Sequence, residues 1–254
     1  MTEVADIRGR GAWTTLGKDN GSRYYCFLPG KPLDGNDSWV ATRWAWDLHH
    51  IAVNYGVKAI QARLDALGYL GRGGRRLPVD GVFGQKTKRA VRWFQRGEHL
   101  PDDGAVGPVT SGELWKPLVW GYGIEHGGRP DLLWGMTSLE SAFDPGAVSS
   151  IYKETNGPDL GLCQINQHFN PTVSIDNAFD PNYALLWSAQ RLERVLRQYS
   201  GKGDRLQEQC AVAYHNSPVR ADEWYRTGTP PNEQIETYAQ LVLDRAATFV
   251  GPDE

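Results

Sequence analysis

An eight-residue unit occurs twice in this chain. Asp80-Gly-Val-Phe-Gly-Gln-Lys-Thr87 returns 23 residues later as Asp103-Gly-Ala-Val-Gly-Pro-Val-Thr110, and a doubled loop-to-helix unit at that spacing points to a compact helical module rather than a strand ladder. In each copy Asp-Gly supplies a tight turn, the following apolar pair fills a core, the second Gly permits close backbone approach, and a helix opens around the Thr. Upstream, Val57, Ile60, Leu64 and Leu67 recur at helical spacing and Gly68 follows as a stop. Ala90, Val91 and Phe94 mark the helix after the first copy and Leu114 the one after the second. Residues 57–116 thus read as three short helices, near the lower size limit for a core without staples.

The other residues set the context. At 254 residues, 40% hydrophobic and 22% charged, the chain has a globular composition with room for one large domain or two modest ones. No apolar run reaches the length of a membrane span, so no membrane insertion is expected. The first ten residues lack the apolar core of a signal peptide, so the chain is expected to depend on another component for export. Three cysteines (Cys26, Cys163 and Cys210) close no disulfide framework and fit no zinc spacing; neither a metal nor a cofactor is expected. Basic and acidic side chains number six and six over residues 1–56, ten and six over 57–115, and eleven and eighteen over 116–254, giving segments of 0, +4 and −7. A mildly basic middle suits an anionic polymer, but Trp93 and Phe94 sit at core-like spacing rather than forming a stacking platform, so nucleic acid is not indicated. Residues 1–56 combine aromatics with turn formers such as Lys18-Asp-Asn-Gly21. They suggest a helix from Ser38 to about Tyr55 ended by Gly56, with a pad role by default. His49 and His50 are adjacent, hence on different helix faces, which excludes a metal pair there.

The chemistry concentrates further on. Pro130 and Asp131 read as a helix start, Leu132, Leu133, Met136, Leu139 and Phe143 follow at helical spacing, and Pro145 ends the run. Glu140 therefore falls on the last turn of an apolar helix, where lost solvation should raise its pKa toward the range of a general acid. The stretch between Trp115 and that helix, rich in Pro and Gly, reads as a connector. Gly161-Leu-Cys-Gln-Ile-Asn166 carries two amides, Gln164 and Asn166. Two helices follow, one with Leu185, Leu192, Val195, Leu196 and Tyr199, the other with Leu206, Cys210, Ala213 and Tyr214 running into Ala213-Tyr-His-Asn-Ser-Pro218. A last helix near Pro231 is expected to bury Ile235, Tyr238, Leu241 and Val242. No stretch of this half alternates with strand period over useful length, so it reads as an all-helical domain with one short hairpin near 160–175, and the fold class of the chain is mainly α.

Residues 57–115 resemble the peptidoglycan-binding domain attached to many wall-lytic enzymes, in Ile60-Gln61, Leu67-Gly-Tyr69, Val79-Asp-Gly-Val-Phe-Gly84, Thr87, Ala90-Val91 and Phe94-Gln95. The resemblance implies wall recognition beside the turns that hold Asp80 and Asp103; that the two aspartates only build turns is the alternative reading. The strips Glu140–Ser149, Gly161–Ile165 and Ala213–Pro218 resemble, in that order, the catalytic domain of soluble lytic transglycosylases, a lysozyme-like fold akin to goose-type lysozyme. This second resemblance covers roughly residues 130–245 and implies Glu140 as catalytic acid/base, Ser149 and Gln164 around the sugar, and Tyr214 facing Glu140 or substrate. Asn166 and His215 complete the expected substrate-binding set, although His215 stands where the family usually has Asn and Cys163 where it has Met. The family's terminal Glu-Thr signature is out of register, so no role passes to Glu233 or Glu236.

These resemblances divide the chain into residues 1–56, a wall-binding module at 57–116 and a catalytic domain at 117–254. They imply cleavage between N-acetylmuramic acid and N-acetylglucosamine with a 1,6-anhydro product. Asp159 is the candidate second carboxylate of a hydrolytic muramidase, the runner-up reading, and a non-enzymatic wall-binding virion component is the third. A wall module joined to a lytic domain without an export signal looks like a bacteriophage endolysin, held in the host cytoplasm until a phage holin releases it to the peptidoglycan, or like a virion-borne lysin.

Overall fold

The computed structural model describes residues 11–19, 22–29, 39–69, 75–149, 158–166 and 168–251, with side chains from residue 52 onward. Strands β1 (Gly11–Asp19) and β2 (Ser22–Pro29) flank the Asn-Gly of the expected turn and pair antiparallel, Gly11 opposite Pro29 and Trp13 opposite Phe27. The aromatic-rich start of the chain therefore holds a hairpin that its turn residues announced only in part.

Helix α1 runs without interruption from Trp39 to Ala66. Gly56 does not stop it, contrary to the sequence expectation. A glycine inside a helix costs about 1 kcal/mol, and here the position is buried beneath another segment that needs its missing side chain. The apolar stripe of Val57, Ile60 and Leu64 is buried as expected.

Two matching clusters hold α1, α2 (Gln85–Gly97) and α3 (Pro108–Glu125) to the repeated turns. In the first, the Gln61 amide donates to Asp80 Oδ1 (2.9 Å), Val82 O (3.0 Å) and Thr87 Oγ1 (3.0 Å), and its oxygen accepts from Gly81 N (2.9 Å). In the second, Gln95 donates to Asp103 Oδ1 (2.8 Å), Ala105 O (2.9 Å) and Thr110 Oγ1 (3.1 Å) and accepts from Gly104 N (2.8 Å). Each aspartate also accepts from the backbone N–H two residues on, at Val82 and Ala105. Both glutamines are 1% exposed, so their own amide groups are kept from water and are satisfied by the turns they bind.

The turns differ from expectation in two respects. Val82 is exposed, leaving Phe83 half-buried and Val106 buried as the apolar contribution. Tight approach falls at the first glycine of each copy rather than the second. Gly81 and Gly104 adopt positive φ (78° and 75°), and a Cβ on Gly81 would lie 2.1 Å from Asn54 Nδ2, whereas Gly84 and Gly107 have open space.

Helix α3 continues through Pro117 to Glu125, so residues 116–125 are helix and not connector. Burial of Trp115 and Val119 outweighs the local preference of Pro and Gly for irregular structure.

The described residues of 1–115 and 140–184 form one compact unit, and those of 116–139 and 185–254 another. In the second unit, α7 (Asp204–Asn216) packs on α8 (Pro218–Thr227) and α9 (Glu233–Ala246). Residues of α4 (Pro130–Ser141) approach α9 so closely that a Cβ on Gly135 would meet Val242 O at 2.3 Å. Phe249 stacks on Trp120 and meets Trp134 at a tilt, with centroids 6.0 and 5.2 Å away. Arg129 grips Asp131 through Nε and Nη2 (3.0 and 2.8 Å) and reaches Glu208 through Nη1 (2.5 Å). Leu185, Leu192 and Val195 of α6 (Pro181–Gln198) are buried as their spacing required, and so are Cys210, Ile235 and Val242. Leu241, expected inside, is 37% exposed because Ala239, Val242 and Ala246 occupy the inward face of α9.

Replacing Gln95 with Ala strands a buried Gly104 N–H and withdraws donors from Asp103 and Thr110. An unfolding cost of at least about 2 kcal/mol is expected for residues 57–115, measurable by urea titration; a change below about 0.5 kcal/mol would show the cluster to be incidental.

Candidate active site

Glu140 lies, as its sequence context required, on the final turn of α4, and is half-buried. The helix ends at Ser141, before Pro145 can act. The chain reverses through two consecutive non-glycine residues at positive φ, Ala142 (53°) and Phe143 (65°). Each such residue costs roughly 1–3 kcal/mol and persists only where its surroundings over-determine it. Here they do. Ser141 Oγ donates to Leu162 O (2.7 Å), Ser111 Oγ donates to Phe143 O (2.6 Å) and Trp115 Nε1 donates to Ser111 Oγ (3.2 Å). Asp144 is buried and accepts from Gly146 N through Oδ1 (2.8 Å), closing the turn.

Gly146 then meets α1. A Cβ there would sit 2.7 Å from Ala52 O and 3.3 Å from Gly56 Cα, which explains why both glycines are small. Tyr55 of the same helix stacks on Phe179, with centroids 5.0 Å apart, and its hydroxyl donates to Asp176, fixing α5 (Ile175–Phe179) on α1.

Beyond Gly146 the chain enters a small sheet. Strands β3 (Asp159–Leu160) and β4 (Ile165–Asn166) pair antiparallel, as the short hairpin expected near 160–175, and Val148 bridges to Leu160. Two rows result. Val148, Leu160 and Ile165 form the buried one. Ser149, Asp159 and Asn166 form the other and are linked through hydrogen bonds: Ser149 N to Asp159 O (2.9 Å), Asp159 N to Ser149 Oγ (2.7 Å) and Asn166 Nδ2 to Asp159 Oδ1 (2.7 Å). The sheet thus brings together three of the residues singled out in sequence, and because side chains alternate along a strand, they share one face.

Gln164, also at positive φ (49°), is 5% exposed and donates to Gly161 O (3.0 Å) and Ala147 O (3.3 Å). Its Oε1 is buried with no hydrogen-bond partner among the described residues. Its amide therefore ties the strip after Glu140 to the Gly161 turn. Asn166 Oδ1 accepts from His168 N (2.9 Å) and Phe169 N (3.2 Å). Phe169 is 65% exposed, an aromatic beside the polar row that sequence reasoning passed over. It also passed over Ser111, Ser141 and Asp144, which hold the backbone around Glu140. Only their positions relative to the strip distinguish them from ordinary polar residues.

The remaining predicted residues belong to other elements. Tyr214 and His215, half-buried on α7, belong to the second compact unit and line a small cavity within it. The hydrogen bonds of Asp80 and Asp103 go to their own turns and to the two glutamines. Among the described residues no cluster of three or more His, Cys, Asp or Glu side chains could hold a metal ion, and no helix is long and apolar enough to cross a membrane.

Fold and side-chain arrangement define a mainly α protein that couples a three-helix module to a helical lysozyme-like domain. Residues 54–114 match the family model described as a putative peptidoglycan binding domain, and residues 122–235 match the transglycosylase SLT domain. The chain thus carries a peptidoglycan-binding domain followed by a transglycosylase SLT domain, and the second of these supports peptidoglycan lytic transglycosylase activity. It is also similar to the zinc D-Ala-D-Ala carboxypeptidase of Streptomyces albus G, at 36% identity over 33% of this chain and 30% of that protein. Similarity to tRNA-splicing ligase RtcB of Pyrococcus abyssi and of Pyrococcus horikoshii is 29% identity over 62% of this chain. The chain spans only 16% of the length of each of those two proteins.

Substitution of Gly146 by Ala forces the strip away from α1 by the clash with Ala52 O. Wall-degrading activity should fall about tenfold or more, the loss expected of a displacement of about 1 Å at a catalytic site, while sedimentation with peptidoglycan is unchanged. Wild-type turnover in that variant would show that the approach to α1 does not position Glu140.

Proposed function

We propose that this transglycosylase cleaves the β-1,4 bond between N-acetylmuramic acid and N-acetylglucosamine with Glu140 as its single catalytic carboxyl group. Glu140 gives its proton to the glycosidic oxygen as the C1–O bond breaks. The substrate's acetamido oxygen closes on C1, replacing the second carboxylate that most glycosidases supply. The Glu140 carboxylate then takes the proton of the muramyl 6-hydroxyl, whose oxygen attacks C1 and releases the acetamido group. Water is neither consumed nor formed, and Glu140 ends protonated as it began.

The observation that carries this reading is the state of the two other carboxylates on the Glu140 strip and its sheet. Asp144 is enclosed and closes the turn through Gly146 N. Asp159 is engaged by the Asn166 amide. Each is committed to a hydrogen bond within the fold, which supports the acetamido route over the hydrolytic muramidase that would use Asp159. Ser149, Gln164 and Asn166 are assigned to the sugar because Ser149 ends the strip, the Gln164 amide bonds its Ala147 O, and Asn166 joins Ser149 through Asp159. Tyr214 and His215 join them on the resemblance of Ala213–Pro218. The 57–116 module keeps the enzyme on the wall, with Asp80 and Asp103 shaping its turns. A wall-binding module coupled to a glycan-cleaving domain supports a role as a phage endolysin, released through a holin to act on the host wall.

The isosteric change Glu140→Gln removes only the transferable proton. It should lower the release of soluble wall fragments about 100-fold or more while leaving Tm unchanged. A variant within about tenfold of wild type would rule Glu140 out as the acid.

A further inference from the structure

Helix α6 carries an arginine that its surroundings do not neutralise. Arg191 is half-buried, and among the described residues no carboxylate forms an ion pair with it. Burial pushes its pKa below the ordinary guanidinium value, an effect that Tyr214 partly opposes and Arg194 reinforces. Its guanidinium carbon lies 5.2 Å from the Trp187 ring centroid and 5.1 Å from that of Tyr214, within the range of attraction between a cation and an aromatic face for both rings. Trp187 is one turn back on the same helix; Tyr214 belongs to α7.

A second observation concerns the same place. Arg191 Nε and Ser188 Oγ are both buried without a hydrogen-bond partner among the described residues. Ser188 is 2% exposed, and both residues line a cavity of about 10 Å³ together with Tyr214 and His215. That volume matches a single water molecule, and a water needs at least two polar partners to remain in an interior. Ser188 and Arg191 supply them. The hydroxyl can donate or accept, while Nε–H can only donate, so a single water in the cavity would give both groups a partner.

We propose that Arg191 is a positioning residue for Tyr214: its guanidinium, placed between the Trp187 and Tyr214 rings and fixed through a water shared with Ser188, sets the orientation of the Tyr214 ring for substrate. This rests on the assignment of Tyr214 to the substrate-binding set above. Lysine cannot replace arginine in this role. An ammonium group has neither the plane that stacks on a ring nor the Nε–H that meets the cavity.

A double-mutant cycle in the full-length protein tests the proposal, with kcat/KM on purified peptidoglycan and Tm measured for Arg191→Met, Arg191→Lys, Tyr214→Ala and the two double variants. Each Arg191 variant should lose about tenfold in kcat/KM in the wild-type background and less than about twofold where Tyr214 is already Ala. Arg191→Lys serves this comparison alone if Arg191→Met does not fold. Equal losses in both backgrounds would show that Arg191 acts independently of Tyr214 and would overturn the proposal. So would full activity of the Arg191 variants beside an impaired Tyr214→Ala. A fully active Tyr214→Ala would overturn both the positioning role and the substrate role of Tyr214, while leaving the result for Glu140→Gln unaffected.

Discussion

The placement of Glu140 depends on a backbone reversal that its own residues disfavour. Ala142 and Phe143 both take left-handed conformations, and neither has the freedom of glycine to do so at low cost. Three hydroxyl and indole hydrogen bonds, an aspartate-closed turn and the approach of Gly146 to α1 hold them there. Several of these supports come from α1 and α3, helices that also build the wall-binding module. Strain of this kind, concentrated beside a half-buried carboxyl, is what a preorganised site requires, because a group fixed before substrate arrives needs no rearrangement in the transition state.

Helix α1 serves as the spine of its compact unit. Within ten residues, Ala52 and Gly56 receive the Gly146 turn, Asn54 crowds Gly81, Tyr55 anchors α5, and Gln61 secures the first repeated turn. The same Gln–Asp–Thr chemistry recurs at Gln95, Asp103 and Thr110. A small module without disulfides is thus tied together by two polar clusters, each centred on a buried glutamine whose amide is paired, the condition under which buried polarity stabilises a structure.

Much of this was legible in the sequence because it rests on local rules. The repeated Asp-Gly turns, the stripe Val57–Ile60–Leu64 and the position of Glu140 on the last turn of α4 followed from spacing and turn chemistry. What misled was also local. Gly56 read as a helix stop and the Pro117 region as a connector, since burial across long sequence separations is invisible to propensity. The stop at Pro145 was placed four residues late because the true terminator is tertiary, a serine 32 residues upstream holding Phe143 O. Of the site, Ser149, Asp159, Gln164 and Asn166 could be listed in advance, but the linking of Ser149, Asp159 and Asn166 in one row required the sheet register. The structural partners Ser111, Ser141 and Asp144 carried no signal of their own.

In the proposed reaction one carboxyl group and the substrate's own acetamide suffice for cleavage. The most direct test is the mass of the fragments released from purified wall in water enriched in heavy oxygen. Cleavage by the acetamido route gives 1,6-anhydro-muramyl ends, one water lighter than hydrolytic products and free of label. Labelled reducing ends as the major product would contradict it and would make Asp159 the residue to explain.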